Sequence, residues 1–190
     1  MLAYGVPADA LDEYFRIGES TALEALRKFV VAVVEVFGLE YMRRPNAQDT
    51  AGSLAIGASR GFSSILGSID CMHWSWKNCL TAWHGMYRGY KKEPTIILEA
   101  VASVDLWIWH AFFGMPGSHN DINVLQRSNI FARLTEGEGP QVNFKINGHE
   151  YMMGYYLADG IYPSWATFVK IISEPQGNKK KYFAKAQEAC

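Results

Sequence analysis

Asp70 and Asp159 are the two residues of this chain whose placement best suits metal chemistry. Asp70 lies in residues 67–74, GSIDCMHW, and Asp159 lies in residues 154–163, GYYLADGIYP, so that each ends a short apolar run typical of a strand. If the two strands are neighbours, the carboxylates lie on the order of 5 Å apart. Mg²⁺ prefers oxygen ligands, and two such ions can stabilise both oxygens of an in-line phosphoryl displacement. The pair therefore predicts phosphodiester chemistry, and the alternative is that both aspartates simply end strands at turns.

The composition predicts an ordinary globular protein. The 190 residues are 49% hydrophobic and 19% charged, which allows a single domain with a real core. The net charge of −1 provides no global attraction to a polyanion, so any nucleic-acid site must be a local patch. Three cysteines without regular spacing argue against a disulfide framework, and no apolar run approaches the ~20 residues that cross a bilayer. We expect an intracellular protein with no membrane partner.

The first third of the chain is predicted to be helical. Apolar residues recur at helical spacing over residues 21–37, Thr21 and Glu24 fit a capping box, and Gly38 fits a helix stop. This helix should pack through a broad apolar face. A shorter helix is predicted over residues 8–15, and residues 43–61 form a linker with one candidate helix because glycines and a proline interrupt the apolar pattern.

After Gly61 the pattern changes to strands. The first carries Asp70, and two more are predicted over residues 95–102 and 106–113 as a hairpin. A helix follows over residues 120–127, then a second hairpin at the Asn147-Gly148 pair, the strand that carries Asp159, and a helical tail over residues 178–190.

This order matches an α/β fold with a ribonuclease H-like mixed sheet, in which three antiparallel strands are joined by a further strand beside the first. The order alone also fits other α+β sheets. Residues 1–61 are predicted to be a helical amino-terminal region and residues 62–190 the α/β domain.

The segment between the first two strands is a candidate nucleic-acid-binding loop. It interleaves aromatic residues with Lys77 and Arg88, and Lys91 and Lys92 follow. Such a segment can follow a phosphate backbone while aromatic rings stack on exposed bases. The alternative is a loop whose aromatic residues cover the sheet.

Four residues near Asp70 have the types of a zinc site: Cys71, His73, Cys79 and His84. Cys71 and His73 would share one face of a strand. The spacing matches no common zinc pattern, and free cysteine is usually a small buried hydrophobe, so we favour core packing.

Three ordered segments carry a resemblance to a known family. They are residues 67–74, residues 114–121 (GMPGSHND) with Leu125 and Ser128 after them, and residues 157–163 (LADGIYP). Together they resemble the plant branch of the Harbinger transposase-derived nucleases, a family of DDE endonucleases. The resemblance runs over nearly the whole chain.

This resemblance implies a nuclear, divalent-metal-dependent DNA endonuclease in which Asp70 and Asp159 hold Mg²⁺ or Mn²⁺, with the cytoplasm as a second location. It also implies a third ligand, a glutamate on a later helix. Glu174 and Glu188 lack the motif that surrounds that glutamate, so the chain is expected to end before the helix and to cut DNA weakly or not at all. The alternative is a non-catalytic, domesticated fragment that binds DNA or a separate DNA-binding protein. A third interpretation is that the gene has decayed and that its protein product is only marginally stable.

Asp121 has two readings of equal weight. As a functional residue it would be an auxiliary metal or water ligand close to the two main aspartates. As a structural residue it would complete a capping box in which Ser118 caps the helix and Asp121 occupies its third position.

Overall fold

The computed structural model describes residues 1–130 and 141–188, which fall into two compact units that divide between Arg44 and Pro45. The first unit holds α1 (Ala10–Phe15) and α2 (Glu19–Tyr41). The second holds all the strands and the remaining helices. The predicted domain boundary at residue 61 stays a prediction.

The long helix α2 is confirmed, but both of its predicted end signals are wrong. It begins at Glu19 after Gly18, which offers no side-chain cap, so Thr21 and Glu24 lie inside the helix. Gly38 does not stop it, because one glycine costs a helix only about 1 kcal/mol and Phe37 contacts Tyr41 across the last turn, with ring centroids 6.2 Å apart.

The apolar face of α2 is exposed. The structure describes all of α2, and Ala22 is the only residue of this helix that is buried. Phe29, Val34 and Phe37 are exposed. The prediction that this face is packed is therefore not met within its own unit.

The elements of the second unit follow in chain order. They are α3 (Ala47–Ser59), β1 (Ile65–Ser75), a 3-10 turn (Thr81–Trp83) that leads into α4 (His84–Tyr87), β2 (Thr95–Ala102), β3 (Ile108–Pro116), α5 (Asp121–Arg127), β4 (Gln141–Ile146), β5 (His149–Met153), β6 (Tyr155–Ala158), β7 (Phe168–Lys170) and α6 (Gly177–Glu188).

Five of the strands form one mixed sheet in the order β3-β2-β1-β6-β7. β1 pairs antiparallel with β2, β2 pairs antiparallel with β3, and β6 lies parallel to β1 on its other side. The predicted α/β fold is thereby confirmed, with an order consistent with a ribonuclease H-like sheet. β4 and β5 form the separate hairpin predicted at Asn147-Gly148, whereas β7 was not predicted.

The core lies on both faces of this sheet. On one face Ile69 and Val101 pack with Leu125 of α5, and Ile97 packs with Val124 of the same helix. On the other face Leu157 packs against Phe183 of α6 in a second cluster. α5 is therefore held against β1 and β2 by its two buried residues.

No helix in the described ranges is long and apolar enough to cross a membrane.

Candidate functional site

Asp70 and Asp159 follow the last register pair of two neighbouring parallel strands. Ser68 of β1 pairs with Leu157 of β6, and each aspartate follows its strand's paired residue by two positions. β6 ends before Asp159, whereas β1 continues beyond Asp70. The prediction that Asp70 ends its strand is therefore wrong, because Asp70 lies inside β1, just beyond the last residue of β1 that pairs with β6.

Both carboxylates accept a backbone hydrogen bond that orients them. Asp70 Oδ1 accepts from the Cys71 N–H at 2.8 Å, and Asp159 Oδ1 accepts from the Ile161 N–H at 3.1 Å. The second bond is an Asx turn, so Asp159 also has the turn-forming role that the structural alternative assigned to it.

Asp121 enters the site from α5. It is the first residue of that helix, and Asn120 is the N-cap, with its Oδ1 accepting from the Asn123 N–H at 2.9 Å. The predicted capping box of Ser118 and Asp121 is therefore wrong, because Asn120 and Asn123 form it instead. This frees the Asp121 carboxylate from a capping role and leaves it half-buried at the positive end of the helix.

The pKa of Asp121 is affected by the other two aspartates of the site. Burial raises the pKa of this carboxyl, and the negative charges of Asp159 and Asp70 raise it further. A hydrogen bond from the Cys71 thiol opposes the rise. Asp121 is therefore a carboxylate whose ionised state a cation in the cleft would stabilise.

The three aspartates line one cleft of about 450 Å³. Its walls come from β1, from the turn after α4, from the loop before α5 and from the end of β6. The lining residues are Asp70, Cys71, His73, Tyr90, Gly117, Ser118, His119, Asn120, Asp121, Asp159 and Ile161.

Two groups that stay protonated, the Cys71 thiol and the Tyr162 hydroxyl, lie next to each other close to Asp121. Cys71 Sγ is 3.4 Å from the hydroxyl of Tyr162, which is fully buried. Burial raises the pKa of Cys71 to about 12 and that of Tyr162 well above its usual range. Cys71 is therefore a neutral thiol at physiological pH that can donate a hydrogen bond to Asp121.

A buried carboxylate was missed by the sequence reasoning. Glu99 is fully buried on β2, where it pairs with Cys71 of β1, and its Oε1 lies 3.3 Å from His110 Nε2. The same His110 nitrogen is 3.0 Å from Ser128 Oγ at the end of α5. Because Ile97, Glu99 and Val101 alternate along β2, a charged residue at an inward-facing position was the signal available in the sequence.

Within residues 1–130 and 141–188, no group of three or more His, Cys, Asp or Glu side chains could hold a metal ion as it stands. Asp70 and Asp159 nevertheless fit a smaller donor set. Mg²⁺ retains several waters and is usually bound by one or two carboxylates together with substrate phosphates. Two oriented carboxylates with a third beside them have the donor chemistry of such a site.

The four residues considered for zinc have other partners. His73 Nδ1 lies 3.0 Å from Thr95 Oγ1, and His84 Nε2 lies 3.1 Å from the carbonyl oxygen of Cys79. Cys79 is buried, and Cys71 contacts the Tyr162 hydroxyl. These contacts are those of packed, hydrogen-bonded residues.

The predicted nucleic-acid-binding residues lie on the connection between β1 and β2. All four are exposed: Lys77, Arg88, Lys91 and Lys92. The aromatic residues around them divide into two sets. Trp76, Trp83 and Tyr87 pack on one another, with ring centroids 4.9–6.3 Å apart, whereas Tyr90 lines the cleft.

The fold and the cleft together define a class of protein: a mixed α/β domain with three aspartates that line a cleft where the parallel strand β6 ends. A family model described as plant transposon protein matches residues 39–190. The chain belongs to this family of plant transposon proteins and is therefore related to transposases. No curated protein and no solved structure shows a significant match. The narrower resemblance to the Harbinger nucleases stays a prediction.

Proposed function

We propose that this chain is a transposase-derived, divalent-metal-dependent DNA endonuclease domain with weak activity. Asp70 and Asp159 would hold Mg²⁺ or Mn²⁺, and Asp121 would assist. The observation that supports this most is the register of β1 and β6, whose last pair, Ser68 and Leu157, lies two residues before Asp70 and Asp159. It brings two carboxylates from residues far apart in sequence to one cleft.

The ions, when bound, would supply an activated water and stabilise negative charge on the phosphate. The protein's contribution is orientation. The backbone hydrogen bonds to Asp70 and Asp159 fix one oxygen of each carboxylate, and the Cys71 thiol supports Asp121. Because no group of three or more candidate ligands in the described chain could hold an ion, we expect weak metal binding and slow cleavage.

The DNA would be held by the β1–β2 connection. Lys77, Arg88, Lys91 and Lys92 are exposed there, and Lys91 is close enough to His73 to lower its pKa. Since His73 lines the cleft, this ammonium group supports a phosphate path that leads to the aspartates. A nuclear location follows from this function as part of the same proposal.

Titration of Mn²⁺ into the purified chain, followed by calorimetry, tests the metal site. The Asp70→Asn, Asp159→Asn double variant should lose the binding, whereas Asp12→Asn, which removes an exposed carboxylate of α1, should retain it. Equal binding by the double variant and the unmodified chain would refute the site.

Nicking of supercoiled plasmid in Mn²⁺ tests the reaction. We expect slow nicking that disappears in Asp70→Asn. Fast cleavage by the unmodified chain would contradict the expected weakness, and nicking that persists in Asp70→Asn would point to a contaminating nuclease.

A second candidate function is a non-catalytic fragment that binds DNA or a separate DNA-binding protein. The exposed apolar face of α2 favours it, because Phe29, Val34 and Phe37 form a surface suited to a partner. DNA binding with neither Mn²⁺ binding nor nicking would select this function over the first.

A further inference from the structure

Tyr90 differs from every other aromatic residue of the β1–β2 connection in its surroundings. Its side chain is 74% exposed and lines the acidic cleft. Trp76, Trp83 and Tyr87 instead use their rings to pack on one another. Among the described residues, the ring contact of Tyr90 is with His73, at 5.0 Å between centroids and an interplanar angle of 79°. An aromatic surface is thus left open at the edge of the cleft.

Both ends of this ring contact are fixed. His73 is anchored through Nδ1, which lies 3.0 Å from Thr95 Oγ1. Tyr90 and Lys91 occupy the two central positions of a turn closed by a hydrogen bond from the Lys92 N–H to the Gly89 carbonyl oxygen at 3.0 Å. The ring is therefore presented by a tight turn against an anchored partner.

The same turn is held against the loop that precedes α5, whose first residue is Asp121. A Cβ atom at Gly89 would lie 1.9 Å from the Gly117 carbonyl oxygen, and one at Gly117 would lie 1.8 Å from Thr95 Oγ1. The missing Cβ of Gly89 allows the close contact of the two backbones, and the missing Cβ of Gly117 allows the loop to lie against Thr95. It fixes the distance between the Tyr90 ring and the acidic residues of the cleft.

Lys91 adds a positive charge beside the ring. Burial lowers the pKa of His73, and the Lys91 ammonium lowers it further, so the imidazole beneath Tyr90 is neutral near pH 7. The open ring of Tyr90, next to a neutral imidazole, provides a stacking surface, and the neighbouring Lys91 ammonium provides a phosphate contact. These are the two features by which proteins hold single-stranded nucleic acid.

We infer that Tyr90 stacks on an unpaired nucleobase of the DNA strand whose phosphate faces Asp70, Asp121 and Asp159. Bases inside a duplex have both faces covered by their neighbours, so away from a duplex end a side chain at the edge of a cleft can stack only on a base that is single-stranded or extruded. This inference rests on the proposed function for the identity of the strand, and it adds the class of DNA: a strand with at least one unpaired base next to the reacting phosphate.

Binding of two short oligonucleotides of equal length tests it: oligothymidylate and an abasic strand with the same number of phosphates. Fluorescence anisotropy in Ca²⁺ should give the unmodified chain about tenfold tighter binding to oligothymidylate. Tyr90→Ala and Tyr90→Leu should reduce that preference to about onefold, and Tyr90→Phe should retain it. Binding to the abasic strand should be the same in all four proteins.

Tyr182→Ala is the matched control, because Tyr182 is 78% exposed on α6, does not line the cleft, and has the same side chain to lose. It should retain the preference. Unfolding temperatures of all variants should stay close to that of the unmodified chain, since Tyr90 is mostly in solvent.

The inference is overturned if the unmodified chain shows no preference, if Tyr90→Ala retains it, or if Tyr182→Ala loses it equally. The Mn²⁺ titration separates this from the proposed function. Loss of the base preference with intact Mn²⁺ binding to Asp70 and Asp159 would leave the metal site in place, whereas a Tyr90-dependent preference without Mn²⁺ binding would leave a nucleic-acid site without an enzyme.

Discussion

Replacing Gly89 by alanine should force apart the two loops that form the cleft. The new Cβ would lie 1.9 Å from the Gly117 carbonyl oxygen, 2.9 Å from its carbonyl carbon and 3.3 Å from the Cα of Ser118. All three are backbone atoms, so no side-chain rotation relieves the contact. Restoring a 3.0 Å separation from the oxygen requires a displacement of about 1.1 Å.

A shift of this size in a packed region costs about 2 kcal/mol, which lowers the unfolding temperature of a domain of this size by about 4–8 °C. The shift should also move Tyr90 away from the loop that leads into α5 and Asp121. We therefore expect Gly89→Ala to show both a lower unfolding temperature and a weaker preference for oligothymidylate over the abasic strand.

Gly85→Ala is the matched control. Gly85 lies in α4, four residues before Gly89, and a Cβ there meets nothing within 4 Å. Because alanine is favoured over glycine in a helix, this variant should be as stable as the unmodified chain or up to about 1 kcal/mol more stable. Thermal unfolding monitored by circular dichroism compares the two. A Gly89→Ala protein that unfolds within about 1 °C of the unmodified chain would refute the close contact of the two loops.

Three further predictions concern the groups around the cleft. The pKa of Asp121 is raised from its ordinary 3.8 by burial and by Asp159 and Asp70, so between 3.8 and the raised value the folded chain binds more protons than the unfolded chain, and stability falls as the pH rises through this window. In metal-free buffer above this window, Asp121→Asn should therefore unfold at a higher temperature than the unmodified chain. Thermal scans should show that this difference shrinks as the pH falls towards 3.8. His110→Ala leaves the fully buried Glu99 carboxylate without its partner at 3.3 Å, so the free energy of unfolding measured in urea should fall by about 3 kcal/mol. Adding Glu99→Leu to His110→Ala should restore most of this loss. A double variant as unstable as His110→Ala alone would contradict this. Ile97→Ala removes a fully buried side chain that packs against Val124 of α5 and should lower the free energy of unfolding by about 3 kcal/mol in the same assay. The control Ile108→Ala, at a 52% exposed position, should lower it by less than about 1 kcal/mol. Equal losses would show that the packing of α5 is misassigned.

Local patterns in the sequence were sufficient for most of the elements. β2 begins and ends where its apolar run does, at Thr95 and Ala102. The hairpin turn at Asn147-Gly148 was predictable because both residues adopt the positive φ that this pair tolerates, 51° and 87°. Such features depend on residues within a few positions of each other, and so the sequence alone suffices.

Helix ends were predicted less well, because several residues near each end can act as caps. Ser118 and Asp121 have the spacing of a capping box, but so do Asn120 and Asn123, and the structure uses the second pair. The choice depends on where the chain leaves β3 and enters α5, which the packing of α5 on the sheet determines. The strand β7 was missed for a related reason, since its three residues carry too short a pattern to detect.

The sequence by itself identified Asp70, Asp121 and Asp159 as candidate residues, because aspartates beside strand and helix patterns are visible in one dimension. Only the tertiary structure decided that the three line a common cleft, that Glu99 lies buried nearby against the partly buried His110, and that Tyr90 rather than the tryptophans lines this cleft. These facts depend on strand order and on contacts between residues up to about ninety positions apart, such as that between Cys71 and Tyr162. No local preference of the chain encodes such contacts, because they form only when the sheet assembles and buries its shared core.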